Sequence, residues 1–281
     1  MINFCHISPT SHLSDFCADQ THHLLLAHLV EDDPSYTKWY RENRIDADTY
    51  ILDNSAFEMY KQGRPMYDSS KLIDMGHRVQ ADYIVMSDYP NETGSKTIRA
   101  AQELAPKFKD QGFGTFFVPQ SEIGDIEDYI ATFAWAASSP LVDYIGVSIL
   151  GVPNAYGVEK DNKLQRFISR WKMMEELSTR GILEMASDNE KKIHFLGMVD
   201  GPNEIELCDK FNIDTWDSSS AVWYGLNGYE YDETPTGQRD GKFEKEVDFN
   251  FKSGDNQAIS MARRNCEYIN KLCRAKTRFN W

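Results

Sequence analysis

Three aspartates and one glutamine stand where short apolar runs stop. Asp53 closes YILD, Asp88 follows YIVMS, Gln120 follows FFVP, and Asp217 closes IDTW. Gly146 and Ser148 lie within YIGVSILG, and Gly197 lies near the end of IHFLGM. Carboxylates so placed have several uses. One can attack an sp3 carbon that bears a good leaving group while a second, protonated, assists departure, as in glycoside cleavage. A third, with a carboxamide, can read the donor and acceptor edge of a heterocycle such as guanine. Three together can also hold Mg2+. Each aspartate is also suited to a plain helix cap or turn, and Asp53-Asn54-Ser55 and Asp217-Ser218-Ser219 fit that role well.

What decides between these uses is the scaffold. Eight short apolar runs read as strands: Asn3–His6, Leu24–Leu29, Tyr50–Asp53, Tyr83–Ser87, Thr115–Pro119, Tyr144–Ile149, Ile193–Met198 and Ile213–Trp216. Stretches with helical period separate most of them: Ser69–Gln80, Thr93–Asp110, Ile123–Ala137, Leu164–Leu183 and Gln257–Lys276, with a shorter one over Pro202–Phe211. Pro106 is expected to kink or shorten the second. Alternating strands and helices favour parallel pairing by right-handed crossovers. Eight units in one chain of 281 residues predict a single-domain (β/α)8 TIM barrel over 1–281, with an open doubly wound sheet as the rival. In the barrel, Asp53, Asp88, Gln120 and Asp217 share the carboxyl mouth, where loops vary on a rigid frame. That convergence favours chemistry over capping.

Residues 224–256 break the pattern, being rich in Gly, Asp, Glu, Lys and Tyr, and read as an insertion after the last strand. Trp223 to Tyr231 reads as an aromatic loop. Trp135, Trp171 and Met173-Met174 read as packing residues, and His194 as a satisfied histidine at the barrel bottom. No GxGxxG or GxxxxGK[ST] follows a strand, so a nucleotide cofactor is not expected.

The net charge of -14 repels nucleic acid at long range. Met261 to Trp281 is the clearest basic region, with Arg263, Arg264, Lys271, Arg274, Lys276 and Arg278 against Glu267. The five cysteines show no CxxC spacing, which predicts neither a disulfide framework nor a structural zinc site. There is no apolar run near the ~18 residues that a membrane span needs. The first residues have no basic stretch leading into a long apolar one, so no secretory signal is expected and a cytoplasmic location is.

The motifs, taken in order, resemble those of tRNA-guanine transglycosylases. HFLGMVDGPNEIELCDKFNIDTWDSS resembles the segment from their H-L-L-G strand to the I-D-x-F-D strand that carries the nucleophile. LDNSAFE resembles their D-S-G-G-F-Q loop, VMSDYPNET their S-F-D-E-C-P segment, VPQSE their V-Q-G loop and IGVSILG their G-L-A-V-G-G loop. The likeness spans Tyr50 to Ser220 in order and approximate spacing. It implies a barrel that exchanges a base at a nucleoside C1′. Asp217 would be the nucleophile and Asp53 the general acid/base. Asp88, Gln120 and the backbone around Gly146, with Ser148 and Gly197, would bind the purine or 7-deazapurine. The departures are specific. The zinc motif C-x-C-x2-C…H of the tRNA enzymes has no counterpart, so no metal is expected. Ser55-Ala56 replaces Gly-Gly, Glu58 replaces Gln, and Ser218-Ser219-Ser220-Ala221 follows the nucleophile in place of P-T-R. In these respects the chain is more similar to the divergent phage and bacterial DNA transglycosylases that insert 7-deazaguanines. The expected partners are therefore guanine-containing DNA, with the basic C-terminal helix on its phosphates, and a free 7-deazaguanine base. The rival readings are the same barrel acting on tRNA or releasing the base to water, a metal-dependent barrel hydrolase, and a non-catalytic binding subunit.

Overall fold

Strands form where the chain runs apolar on both faces, and they must be covered on both. In the computed structural model, which describes residues 1–160, 162–198, 201–232 and 246–274, eight such strands form one parallel sheet. They are β1 (Asn3–His6), β2 (His22–Leu26), β3 (Thr49–Asp53), β4 (Tyr83–Val85), β5 (Gly114–Phe117), β6 (Tyr144–Ser148), β7 (Lys192–Leu196) and β8 (Thr215–Ser218). The order β1-β8-β7-β6-β5-β4-β3-β2 leaves β1 and β2 at the two ends. These ends pack together, and the Gln20 carboxamide laces the seam. Its Oε1 accepts from the His6 N–H at 2.7 Å, and its Nε2 donates to the His6 carbonyl at 3.1 Å. The sheet is thus nearly closed into a (β/α)8 TIM barrel, as the alternation of runs predicts.

The differences from the sequence reading are local. The run at Leu24–Leu29 ends as strand at Leu26, because Ala27–Asp32 turns helical. Pro106 sits inside a continuous helix, Gly94–Asp110, and does not shorten it in sequence extent. The long period over Leu164–Leu183 divides into helices Lys163–Thr179 and Ile182–Asp188 at Gly181, whose φ of +72° ends the first.

One other expectation is corrected. Trp223 and Tyr224 lie in a helix, Ser220–Leu226, and not in an aromatic loop. That helix is held from outside: Asn265 donates to the carbonyls of Ala221 (3.1 Å) and Tyr229 (2.9 Å) and accepts from the Tyr231 N–H (2.8 Å). No local period could reveal this. The insertion expected at 224–256 therefore begins with helix, and its central part, 233–245, lies outside the described residues. Helix Asn256–Arg274 buries Ala258, Ala262, Cys266, Ile269 and Cys273 against the barrel. Its last turn meets the start of β1, where the Ile2 N–H donates to the Cys273 carbonyl at 3.1 Å. Lys271 and Arg274 are therefore at the amino end of the barrel, away from the mouth. Arg263 and Arg264 are engaged by Asp15 (2.9 Å) and Glu230 (2.5 Å). Lys276 and Arg278 lie outside the described residues. This helix is a barrel element whose last described cations, Lys271 and Arg274, lie at the end opposite the mouth.

The barrel wall also contains an acid-sensitive point. His23 on β2 is buried, stacked on Tyr50 at 4.4 Å between ring centroids, and neither ring nitrogen has a hydrogen-bond partner. Burial lowers its pKa to about 4. The unfolded chain takes up this proton near pH ~6.5 and the folded chain resists until about 4. The folded state binds fewer protons in that window, so stability falls as pH drops through it. His23→Phe is expected to flatten the decline of Tm with acid between about pH 7 and about pH 5. An unchanged slope in a thermal-melt series would clear His23 of the effect.

Candidate active site at the barrel mouth

Asp217 is the third residue of β8. Alternation sends Trp216 outward, against Phe195 at 4.5 Å between ring centroids, and Thr215 and Asp217 inward. β7 pairs in parallel with His194 opposite Thr215. His194 therefore stands one layer below Asp217, fully buried. Its Nε2 lies 2.9 Å from Asp217 Oδ1, and its Nδ1 lies 2.7 Å from Thr215 Oγ1. The Gly197 N–H donates to the same Oδ1 at 3.1 Å. Gly197 has φ +69°, and a Cβ there would meet Ile149 at 2.8 Å. Glycine is what lets the chain turn its N–H back on Asp217. With Oδ1 held twice, Oδ2 is bonded by no described residue, and Asp217 retains 5 % exposure at the mouth.

Asp53 ends β3 two strands beyond the seam. Its Oδ2 accepts from the Ser55 N–H at 2.9 Å. Ser55 is in the left-handed region, φ +55°, and is fully buried. That conformation is strained for a residue with a Cβ and is locked by His28. The His28 N–H donates to Ser55 Oγ at 3.2 Å, and His28 Nδ1 lies 2.9 Å from that oxygen. Burial lowers the His28 pKa to about 4, so the imidazole that shares a hydrogen bond with the Ser55 hydroxyl is neutral. Enclosure by protein pushes the Asp53 carboxyl well above the usual range, and the charges of Glu58, Asp217 and Asp88 add to the rise. Glu58, from helix Ala56–Gln62, is itself raised by burial and then by Asp217.

Asp88 follows β4 and is 3 % exposed. Burial raises its pKa to about 6, against two donors that hold it down. Asn54 Nδ2 donates to its Oδ1 at 2.8 Å and Gln120 Nε2 to its Oδ2 at 2.6 Å. Gln120, beyond β5, keeps its Oε1 buried and without any partner. A buried acceptor left unmade costs about 1–3 kcal/mol, so Gln120 Oε1 is free to take a donor.

The remaining residues divide. Ser148 ends β6, and its hydroxyl accepts from the Leu150 (3.1 Å) and Gly151 (3.3 Å) N–H groups, which shapes the turn. Gly146 lies a layer lower, level with His194, where a Cβ would meet Phe116 (2.6 Å), Leu196 (2.9 Å) and Val118 (3.1 Å). It is a packing position inside the barrel, below the open mouth. Sequence reasoning missed the second ring of residues: Asn54 behind Asp88, Glu58 beside Asp53, and the His28–Ser55 lock. Asn54 and Glu58 sit inside the LDNSAFE motif and could have been found there. His194 is satisfied, as expected, but by Asp217 itself.

The fold and site together define a (β/α)8 barrel whose mouth pairs an oriented carboxylate with a carboxyl of raised pKa. Among the described residues no three His, Cys, Asp or Glu side chains are grouped to hold a metal ion, and no helix is long and apolar enough to cross a membrane. Comparison with protein-family models gives no match, and no curated protein matches the chain.

Proposed function

We propose that the protein is a base-exchange transglycosylase that replaces guanine in DNA with a 7-deazaguanine base. The observation that carries this is the division of labour between Asp217 and Asp53. Asp217 has Oδ1 held by His194 and the Gly197 N–H, which leaves Oδ2 to attack, while burial keeps the Asp53 carboxyl raised as a proton donor. Asp217 Oδ2 attacks C1′ and forms an ester. The C1′–N9 bond breaks, and its electron pair leaves with guanine, which takes the Asp53 proton. An incoming base then gives its N9 proton to Asp53 and attacks C1′, and the Asp217 carboxylate is released. No ion or redox partner is consumed. Gln120 Oε1 and Asp88 face the donor edge of guanine.

The rim suits a polymer from which one base is turned out. Phe57 and Tyr60, 49 % and 55 % exposed, stand on the helix beside Asp53. Tyr60 is held by Asn91 Nδ2 at 2.9 Å, and Asn91 Oδ1 by Asn154 Nδ2 at 2.6 Å, so its ring is offered in a set direction. Unpaired bases stack on such rings, and Lys61, Arg64 and Lys96 nearby can exchange their surface carboxylates for phosphates.

The test is exchange of labelled guanine into guanine-containing single-stranded DNA and, separately, into tRNA, with denaturing gels for a protein–nucleic acid adduct. Label in DNA with an SDS-stable adduct is the expected result. Label in tRNA alone would transfer the reading to the tRNA enzymes, and label in neither would end it. Gln120→Ala is expected to raise KM for guanine about 10–100-fold with kcat nearly unchanged, because it removes binding alone. An unaltered KM would take Gln120 out of the base site.

A further inference from the structure

Behind the mouth, on the outer side of the barrel, lies a fully buried ion pair that no motif announced. Arg170, from helix Lys163–Thr179, meets Glu204, from helix Asn203–Cys208, through Nε (2.7 Å) and Nη2 (2.6 Å), and both side chains are completely inaccessible. The remaining guanidinium hydrogens go to backbone. Nη1 donates to the carbonyls of Val147 (3.1 Å) and Leu196 (3.0 Å), and Nη2 to that of Gly197 (2.8 Å). The guanidinium lies over Phe195 (4.8 Å) and Trp216 (5.0 Å). Trp216 Nε1 also donates to the Gly197 carbonyl, at 2.8 Å.

The Leu196 carbonyl and the Gly197 N–H belong to one peptide group. Its oxygen points out to Arg170, and its N–H points in to Asp217 Oδ1. We infer that Arg170, held by Glu204, is a positioning residue for the attacking carboxylate and acts through this peptide group. A positive charge on the carbonyl side polarises the amide and strengthens the N–H that holds Oδ1. Two carbonyl contacts on either side of the Gly197 nitrogen fix its left-handed turn. Oδ2 is thereby aimed at the mouth. A buried ion pair is weak evidence for a gain in stability, since apolar residues of similar volume serve a core as well or better. Here all five guanidinium donors are used, and three end on the carboxyl ends of β6 and β7, which is where an active-site support belongs.

The inference rests on Asp217 as nucleophile, and its test separates the two ideas. Arg170→Met with Glu204→Leu removes both charges and keeps the volume. Arg170→Lys keeps the charge and loses the fork, and serves if the double variant does not fold. The probe is labelled guanine with single-stranded DNA, together with hydrogen exchange at the Gly197 amide in the full chain. The expected result is a kcat lower by about 10–100-fold at unchanged KM, with Arg170→Lys in between, and a Gly197 amide that exchanges about tenfold faster. A merely structural pair would lower Tm and leave kcat and that amide as they are. A folded variant with wild-type kcat and wild-type Gly197 protection overturns the clamp, while loss of exchange in Asp217→Asn still upholds the nucleophile. If the wild-type protein exchanges no guanine, the enzymatic reading fails, and Gly197 protection alone decides the clamp.

Discussion

Asp217→Asn is expected to abolish the covalent adduct and to lower base exchange on the order of 10⁴-fold, because the attacking oxygen is gone and no neighbour replaces it. The asparagine is the instructive substitution. Its carbonyl can still accept from His194 and from the Gly197 N–H, which now share Oδ1 at 2.9 and 3.1 Å. The fold should therefore survive, with Tm close to that of the wild type. Asp217→Ala leaves both donors buried and unpaired, at about 1–3 kcal/mol, so it should lose stability as well as activity. A denaturing gel with single-stranded DNA and a thermal melt read the two effects apart. An adduct that persists in Asp217→Asn would move the nucleophile elsewhere.

The second large effect is at Asp53. Asp53→Asn removes the proton donor for guanine and the acceptor for the incoming base, and should lower kcat by about 10²–10⁴-fold. Its pH behaviour distinguishes it from a loss of binding. The carboxyl is raised well above the usual range by burial, then by Glu58, Asp217 and Asp88. The folded state holds the proton longer than the unfolded chain does. Its contribution to stability is complete below the unfolded carboxyl value and is lost as pH rises through the folded value. Two consequences follow with opposite signs. Exchange by the wild type should decline as pH rises through the Asp53 titration. Asp53→Asn, which has no charge to bury, should melt higher than the wild type on the alkaline side of that titration while being nearly inactive. A variant that melts lower there would show that the carboxyl is not held protonated by its surroundings.

The barrel was legible because its signal is local. Alternation of apolar runs with helical periods depends only on which residues must leave water, and eight repeats outweigh an error in any one. The positions of Asp53, Asp88, Gln120 and Asp217 followed from the same pattern, since the end of an apolar run is the end of a strand. Boundaries were less secure where two structures suit one composition. Leu24–Leu29 is apolar enough for strand throughout, and it takes packing of Ala27–Asp32 against its neighbours to turn the last part helical.

By itself, then, the sequence determined the class of fold and the mouth at which the carboxyls gather. Tertiary structure alone decided the rest. The register of β7 on β8 sets His194 beneath Asp217, and no spacing along the chain encodes a contact between strands. The direction of helix Asn256–Arg274 carries Lys271 and Arg274 to the end opposite the mouth, although the composition drew attention to them as phosphate contacts. Arg170 and Glu204, 34 positions apart, look like two surface charges on two helices until the barrel closes over them. Charge and polarity are properties of residues, but what they act on depends on which groups the fold removes from water together.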